Sequence, residues 1–302
     1  MKLVTIDQAG NLHLGVKLER YVLDINEALK AFPEDGLPTD IMSVIGDAGT
    51  VIPQLERYIA RVVEGASEGS AYLLEESEVT YGPCVTHPGK IICVGLNYRK
   101  HAEETNAAIP QYPILFNKFN NTITSHGDDI PLPNRVTSQV DYEAELVIVI
   151  GKEAKYVAKE QALSHVLGYC NVNDLSARDL QMRTQQWLLG KSCDKFSPLG
   201  PYLVTADEVG DPNQLTIKCT VNGETRQNSH TSDMIFHCDE IVSYISQHMT
   251  LSPGDIILTG TPEGVVLGKP VDQRVYLKHG DVVTIEIEKL GALTNRMVDE
   301  QL

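Results

Sequence analysis

The stretch VDYEAELVIVIGKE, residues 140–153, constrains this chain more than any other. Val147, Ile148, Val149 and Ile150 form a β-branched run closed by Gly151, which reads as a strand. Side chains alternate across a strand, so Asp141, Glu143 and Glu145 share one face and Val147 and Val149 continue it. A solvated edge strand would explain the carboxylates alone, because charge there blocks aggregation. The two valines turn that face inward instead. Buried carboxylates repel one another, and a divalent cation compensates them compactly.

A third carboxylate should come from elsewhere, and Asp174 in GYCNVNDLSARDLQ, residues 168–181, is the best candidate. SARDLQMR reads as a helix start, so Asp174 could equally be only its N-terminal cap. Three oxygen ligands plus waters suit Mg²⁺ or Mn²⁺. No Cys/His cluster of the zinc type is present. In NYRKHAEETN, a helix would bring His101 and Glu104 together at i and i+3. A carboxylate beside an imidazole makes a general base, although an exposed helix with scattered charge is the plainer alternative. Lys191 follows a glycine and precedes a serine, but no G-x-x-x-x-G-K-[ST] is present, so this is not a P-loop. Near a metal it would hold an anionic substrate or a developing oxyanion. GDIILTGTPEGV, residues 254–265, ends a strand in a glycine-rich turn. Its N–H groups and the hydroxyls of Thr259 and Thr261 could take a substrate carboxylate, or it is a plain turn.

Residues 1–80 read as a small accessory α/β unit: strands in KLVTI and LHLGVKL, helical periodicity in VLDINEALKAF and VIPQLERYIARVVEGA. The second helix shows a stripe of Ile52, Leu55, Ile59 and Val62. After the proline- and glycine-punctuated TYGPCVTHPGK, strands dominate from about 88 to 302, with helical patterns in KEQALSHVLGY and CDEIVSYISQHM. The class is therefore α+β and β-rich. The net charge of -16 disfavours a nucleic-acid backbone as partner. No apolar run is long enough for a membrane span, no signal peptide is visible, and the six cysteines form no C-x-x-C pair. Those features fit free thiols and a cytoplasmic location.

The ordered series N-Y-x-x-H-x-x-E, D-Y-E-x-E, N-D-x-S-A-R-D-x-Q, G-K-S-x-D-x-F-x-P-L-G-P and G-D-I-I-x-T-G-T-P-x-G-V resembles the fumarylacetoacetate hydrolase (FAH) family over roughly residues 88–295. The whole chain looks like its longer bacterial members, which carry an extra N-terminal domain. The resemblance implies an FAH-type catalytic fold of mixed β-sheets and, usually, a homodimer. It implies Mg²⁺ or Mn²⁺ on Glu143, Glu145 and Asp174, and His101 with Glu104 as a water-activating dyad on a segment that orders over substrate. Arg178, Gln181, Lys191 and Thr261 match substrate-contacting positions. A fourth carboxylate ligand, found upstream in fumarylacetoacetase itself, has no equivalent here.

The expected chemistry is that of a small 2-oxo acid chelated to the ion and passing through a metal-bound enolate. Hydrolysis of the C–C bond of an acylpyruvate-type 2,4-dioxo acid is expected first, with Lys191 steadying the oxyanion. Oxaloacetate decarboxylation and isomerisation or tautomerisation of a 2-hydroxy-dienedioate are the alternatives. A non-catalytic, partner-binding protein on the same fold is the alternative of another class.

Overall fold

The structure is a computed structural model describing residues 1–67 and 69–301. The apolar run forms the strand Ala144–Ile150, paired antiparallel with Val166–Asn173 on one side and Ile256–Leu258 on the other. Leu146, Ile148 and Ile150 enter one apolar cluster, while Val147 and Val149 enter another. A strand covered on both faces has no solvated side, which is why every position from Leu146 to Ile150 is apolar. Burying each such side chain contributes about 1.5–3 kcal/mol.

The sheet runs in the order Leu73–Glu75, Tyr21–Asp24, Asn11–Lys17, Lys2–Gln8, Ser197–Thr205, Val166–Asn173, Ala144–Ile150, Ile256–Leu258, Ile91–Gly95, Ile114–Lys118. Strands from the first 80 residues thus continue the same sheet, joined where Lys2 and Leu3 pair with Val204 and Leu203. A second, five-stranded sheet packs on one face, bringing Ile217, Ile285 and Met297 against Leu146 and Ile148. On the opposite face the helix Ala48–Gly65 brings Leu55, Tyr58 and Val62 into the cluster of Val147 and Val149. The layers are therefore helix, sheet, sheet. Among the described residues no helix is long and apolar enough to cross a membrane. All six cysteines are free.

Two local expectations change. The buried stripe of the long helix is Val51, Leu55, Tyr58 and Val62, with Ile52 and Ile59 only partly covered. Tyr58 takes the inner place because its ring is buried while its hydroxyl reaches the Phe32 carbonyl at 3.1 Å. KEQALSHVLGY is helical only to Ala162, passes through a 3₁₀ turn at Leu163–His165, and becomes a central strand from Val166. Its last residues pair with Ala144–Ile150, and that pairing overrides helical periodicity.

Candidate active site

Glu145 stands on the central strand and Glu143 just before it, where the ladder breaks at residues 142 and 143. Asn173 holds the break by accepting the Glu143 N–H at 3.0 Å, and the Asp174 N–H donates to the Glu143 carbonyl at 2.9 Å. Asp174 directly follows the adjacent strand Val166–Asn173. One carboxylate oxygen from each of Glu143, Glu145 and Asp174 lies within 4.8 Å of the others, and all three residues are buried. Asp174 caps no helix; the N-cap of the short helix Arg178–Gln181 is Ala177, without a side-chain bond. The break also removes Asp141 from the alternation. Asp141 accepts the N–H groups of Val266 and Leu267, both at 3.0 Å, and Arg178 Nε at 2.8 Å.

Three cations sit among these groups. Lys191 Nζ lies 2.7 Å from Glu143 and 2.6 Å from Asp174. Arg178 Nη2 is 2.7 Å from Glu143 as an ion pair, and its Nη1 donates to Gln181 at 2.9 Å. Lys118 donates to the other Asp174 oxygen at 2.5 Å and to the Phe196 carbonyl at 2.7 Å. Sequence reasoning missed Lys118, because a lone lysine closing an apolar strand reads as a solvated strand end. Its Nζ is wholly enclosed, so Lys118→Met should leave a buried carboxylate short of charge. A loss of about 3–5 kcal/mol is expected in denaturant unfolding of metal-free protein. Unchanged stability would show that Lys191 alone compensates Asp174.

Four buried carboxylates (Asp141, Glu143, Glu145, Asp174) thus face three buried cations (Lys118, Arg178, Lys191). Glu145 is the one left over: among the described residues no Lys or Arg approaches it within 4.0 Å, and its Oε2 accepts the Gly260 N–H at 2.8 Å. Burial, then the charges of Asp174 and Glu143, push its pKa well up. Glu143 moves oppositely, to about 2: burial opposes its ionisation, but Lys191 and Arg178 outweigh that. Burial likewise opposes the charge on Lys191, and Asp174 and Glu143 overcome it, so Lys191 stays an ammonium at neutral pH. Hard oxygen donors with surplus negative charge fit a divalent cation at the triad.

His101 Nδ1 lies 2.7 Å from Glu104 Oε1 on the helix Arg99–Glu104. The second Glu104 oxygen accepts the Gly264 N–H at 3.0 Å. Gly260 and Gly264 both have positive φ, and a Cβ on either would lie under 3 Å from neighbouring atoms, including the carbonyls of Val94 and Arg226. The glycine-rich turn therefore spends two N–H groups on the site's own carboxylates. The Thr261 hydroxyl accepts from Gln227 Nε2 at 2.9 Å, and Thr259 donates to the Leu146 carbonyl. A cavity of about 220 Å³ is lined by His101, Glu143, Glu145, Arg178, Gln181, Lys191 and Thr261, with Phe116 and Trp187 on its apolar wall. Glu104 stands behind His101. A wider cleft of about 790 Å³ lies elsewhere, at Tyr81, His126 and Tyr202, and holds none of these residues.

The model of the fumarylacetoacetate (FAA) hydrolase C-terminal family matches residues 90–298. The chain belongs to the fumarylacetoacetate hydrolase family. Among its FAH relatives, the bovine protein named oxaloacetate tautomerase FAHD2A, mitochondrial, is 49% identical over 240 residues, covering 78% of this chain and 75% of that one. The solved structure of fumarylacetoacetate hydrolase from Exiguobacterium antarcticum is 33% identical with a TM-score of 0.81, covering 99% of this chain and all of the other. Maleylpyruvate hydrolase from Sphingobium sp. SYK-6, in complex with manganese(II) and pyruvate, is 29% identical with a TM-score of 0.79 over the whole of both chains. The β-rich α+β architecture is the one these FAH structures share.

Proposed function

We propose that this protein interconverts the enol and keto forms of a small 2-oxo acid, oxaloacetate being the first substrate to test. Glu143, Glu145 and Asp174 would hold Mg²⁺ or Mn²⁺. The observation that carries the reading is an imidazole, backed by a carboxylate, that shares one small cavity with Glu143 and Glu145 of a buried, charge-surplus carboxylate triad. The 49% identity to a protein named oxaloacetate tautomerase, against 29% to a maleylpyruvate hydrolase, puts proton exchange ahead of C–C hydrolysis.

When bound, the ion would supply a Lewis acid that makes the protons beside a chelated 2-oxo group more acidic. His101 donates Nδ1–H to Glu104, which leaves the Nε2 lone pair to take a proton from C3 of the keto form. A proton from solvent on the 2-oxo oxygen completes the enol, the imidazolium gives its proton to solvent, and the reverse sequence regenerates the keto form. Glu104 is itself fixed by the Gly264 N–H, so the ring is held in one orientation. Lys191, an ammonium, donates a hydrogen bond toward the 2-oxo oxygen and does not act as the base. Arg178 is spent on Asp141, Glu143 and Gln181, so its part is to keep Glu143 ionised. Phe116 and Trp187 keep the cavity apolar, which strengthens these interactions.

C–C hydrolysis is the second reading, favoured by the same dyad, which could instead activate a water. Mg²⁺-loaded protein should speed the loss of enol absorbance from freshly dissolved oxaloacetate without releasing pyruvate. Faster pyruvate release from acetylpyruvate would install hydrolysis in its place. No acceleration with any 2-oxo acid would sink both.

A further inference from the structure

The five-stranded sheet sends one side chain toward the site. On its edge strand Glu224–His230, Gln227 is the only buried residue, 1% exposed. The strand lies directly against the glycine-rich turn, since a Cβ at Gly264 would run into the Arg226 carbonyl. Gln227 Oε1 accepts the Ala144 N–H at 2.9 Å, and its Nε2 donates to the Pro262 carbonyl and to Thr261 Oγ1, both at 2.9 Å. Ala144 is the residue between Glu143 and Glu145. A backbone N–H only donates and a carbonyl only accepts, so Ala144 and Pro262 together fix which end of the amide is nitrogen. Thr261 Oγ1 is therefore an acceptor toward Gln227, and its own proton points elsewhere. Among the described residues that proton meets no acceptor, although Thr261 is 4% exposed and lines the small cavity. A buried hydroxyl with an unspent proton on a cavity wall is a donor for a ligand oxygen.

We propose that Gln227 is a positioning residue whose amide commits the Thr261 hydroxyl to donate to the carboxylate of the bound 2-oxo acid. This rests on the placement of the 2-oxo head at the Glu143, Glu145 and Asp174 triad. Gln227 does not line the cavity and acts only through Thr261. Its other end holds the Ala144 N–H, so one side chain keeps the donor hydroxyl in register with the strand segment that carries Glu143 and Glu145. Without the amide the hydroxyl is free to rotate and no longer presents its proton to the ligand alone.

The test is a double-mutant cycle read with pyruvate, a 2-oxo acid that carries a single carboxylate. Dissociation constants are measured by titration calorimetry on Mg²⁺-saturated wild type, Gln227→Met, Thr261→Val and the double variant. Each single substitution should weaken pyruvate about 10-fold, as expected for one charge-assisted hydrogen bond, and the two together should cost no more than about 10-fold. A merely structural role for Gln227 would cost the same with and without the Thr261 hydroxyl. Gln227→Glu keeps the shape and the acceptor for the Ala144 N–H but takes the Thr261 proton for itself. It keeps the cycle open if Gln227→Met fails to fold, and its loss should likewise shrink in the Thr261→Val background. Wild-type affinity in either single variant, losses that multiply in the double variant, or no pyruvate binding by wild type overturns the assignment. Exchange of the C3 protons of oxaloacetate for deuterium judges the proposed reaction separately: coupled losses of binding without exchange in wild type keep Gln227 in its role and remove the tautomerase.

Discussion

Glu145→Gln is expected to abolish divalent-metal binding and to cut enol–keto turnover by more than about 10²–10³-fold, the several kcal/mol that a Lewis acid supplies. Glu145 is the buried carboxylate without a cation, so it has most to gain from one. In wild type, Mn²⁺ at 100 times its dissociation constant should add about 2.7 kcal/mol of stability, and the variant should show no such rise in Tm. The metal-free variant should melt no lower than metal-free wild type, because the group removed is one whose ionisation the fold opposes. The sign with pH follows. A carboxyl raised above its unfolded pKa contributes fully below that value and loses its contribution as pH climbs through the folded pKa. Metal-free wild type should therefore lose stability relative to the variant as pH rises. The ion competes with a proton, so Mn²⁺ affinity should weaken as pH falls. Unchanged Mn²⁺ affinity in Glu145→Gln would remove this residue from the ligand set.

His101→Ala should lower C3 proton exchange by about 10²–10⁴-fold while leaving Mn²⁺ affinity near wild type. Its imidazole lines the cavity but forms no hydrogen bond or ion pair with the three triad carboxylates, so the two functions separate by mutation. Glu104→Gln should give a smaller loss, since the amide oxygen can still accept from Nδ1 but no longer stabilises an imidazolium. Near-wild-type exchange in His101→Ala would move proton transfer to another group. Loss of metal binding in the same variant would mean that the dyad and the triad are one unit.

Much of this site is legible in one dimension because strand alternation is strict. Glu145, Val147 and Val149 do share a face, and the valines are buried among the helices of the first 80 residues. Alternation fails where the ladder fails: Asp141 lies beyond the break and turns to Arg178 and two backbone N–H groups. Asp174 has two readings in the sequence; the structure removes the cap, and pairing brings the carboxylate to the cluster, because its strand ends beside Glu143. Lys118 carries no local signal, since its partner Asp174 is 56 residues away and only the sheet brings them together. Gln227, which holds Thr261 and the Ala144 N–H, is hidden for the same reason. The dyad is the opposite case, a local i, i+3 contact on a single helical turn, and its spacing alone places His101 beside Glu104.

The joining of Lys2–Gln8 to Ser197–Thr205 sets a schedule for biosynthesis. A ribosome adding about 5–20 residues per second completes the first strand about 10–40 s before its neighbour across the sheet exists. Through that interval Tyr81 and Gly82 can pair only Ile6 and Thr5, so the edge at Lys2 and Leu3 stays open and the apolar face that Val147, Val149 and Leu203 later cover stays bare. Nascent chains are thus most prone to misassociation midway through translation, and holdase chaperones would engage this protein then rather than after release.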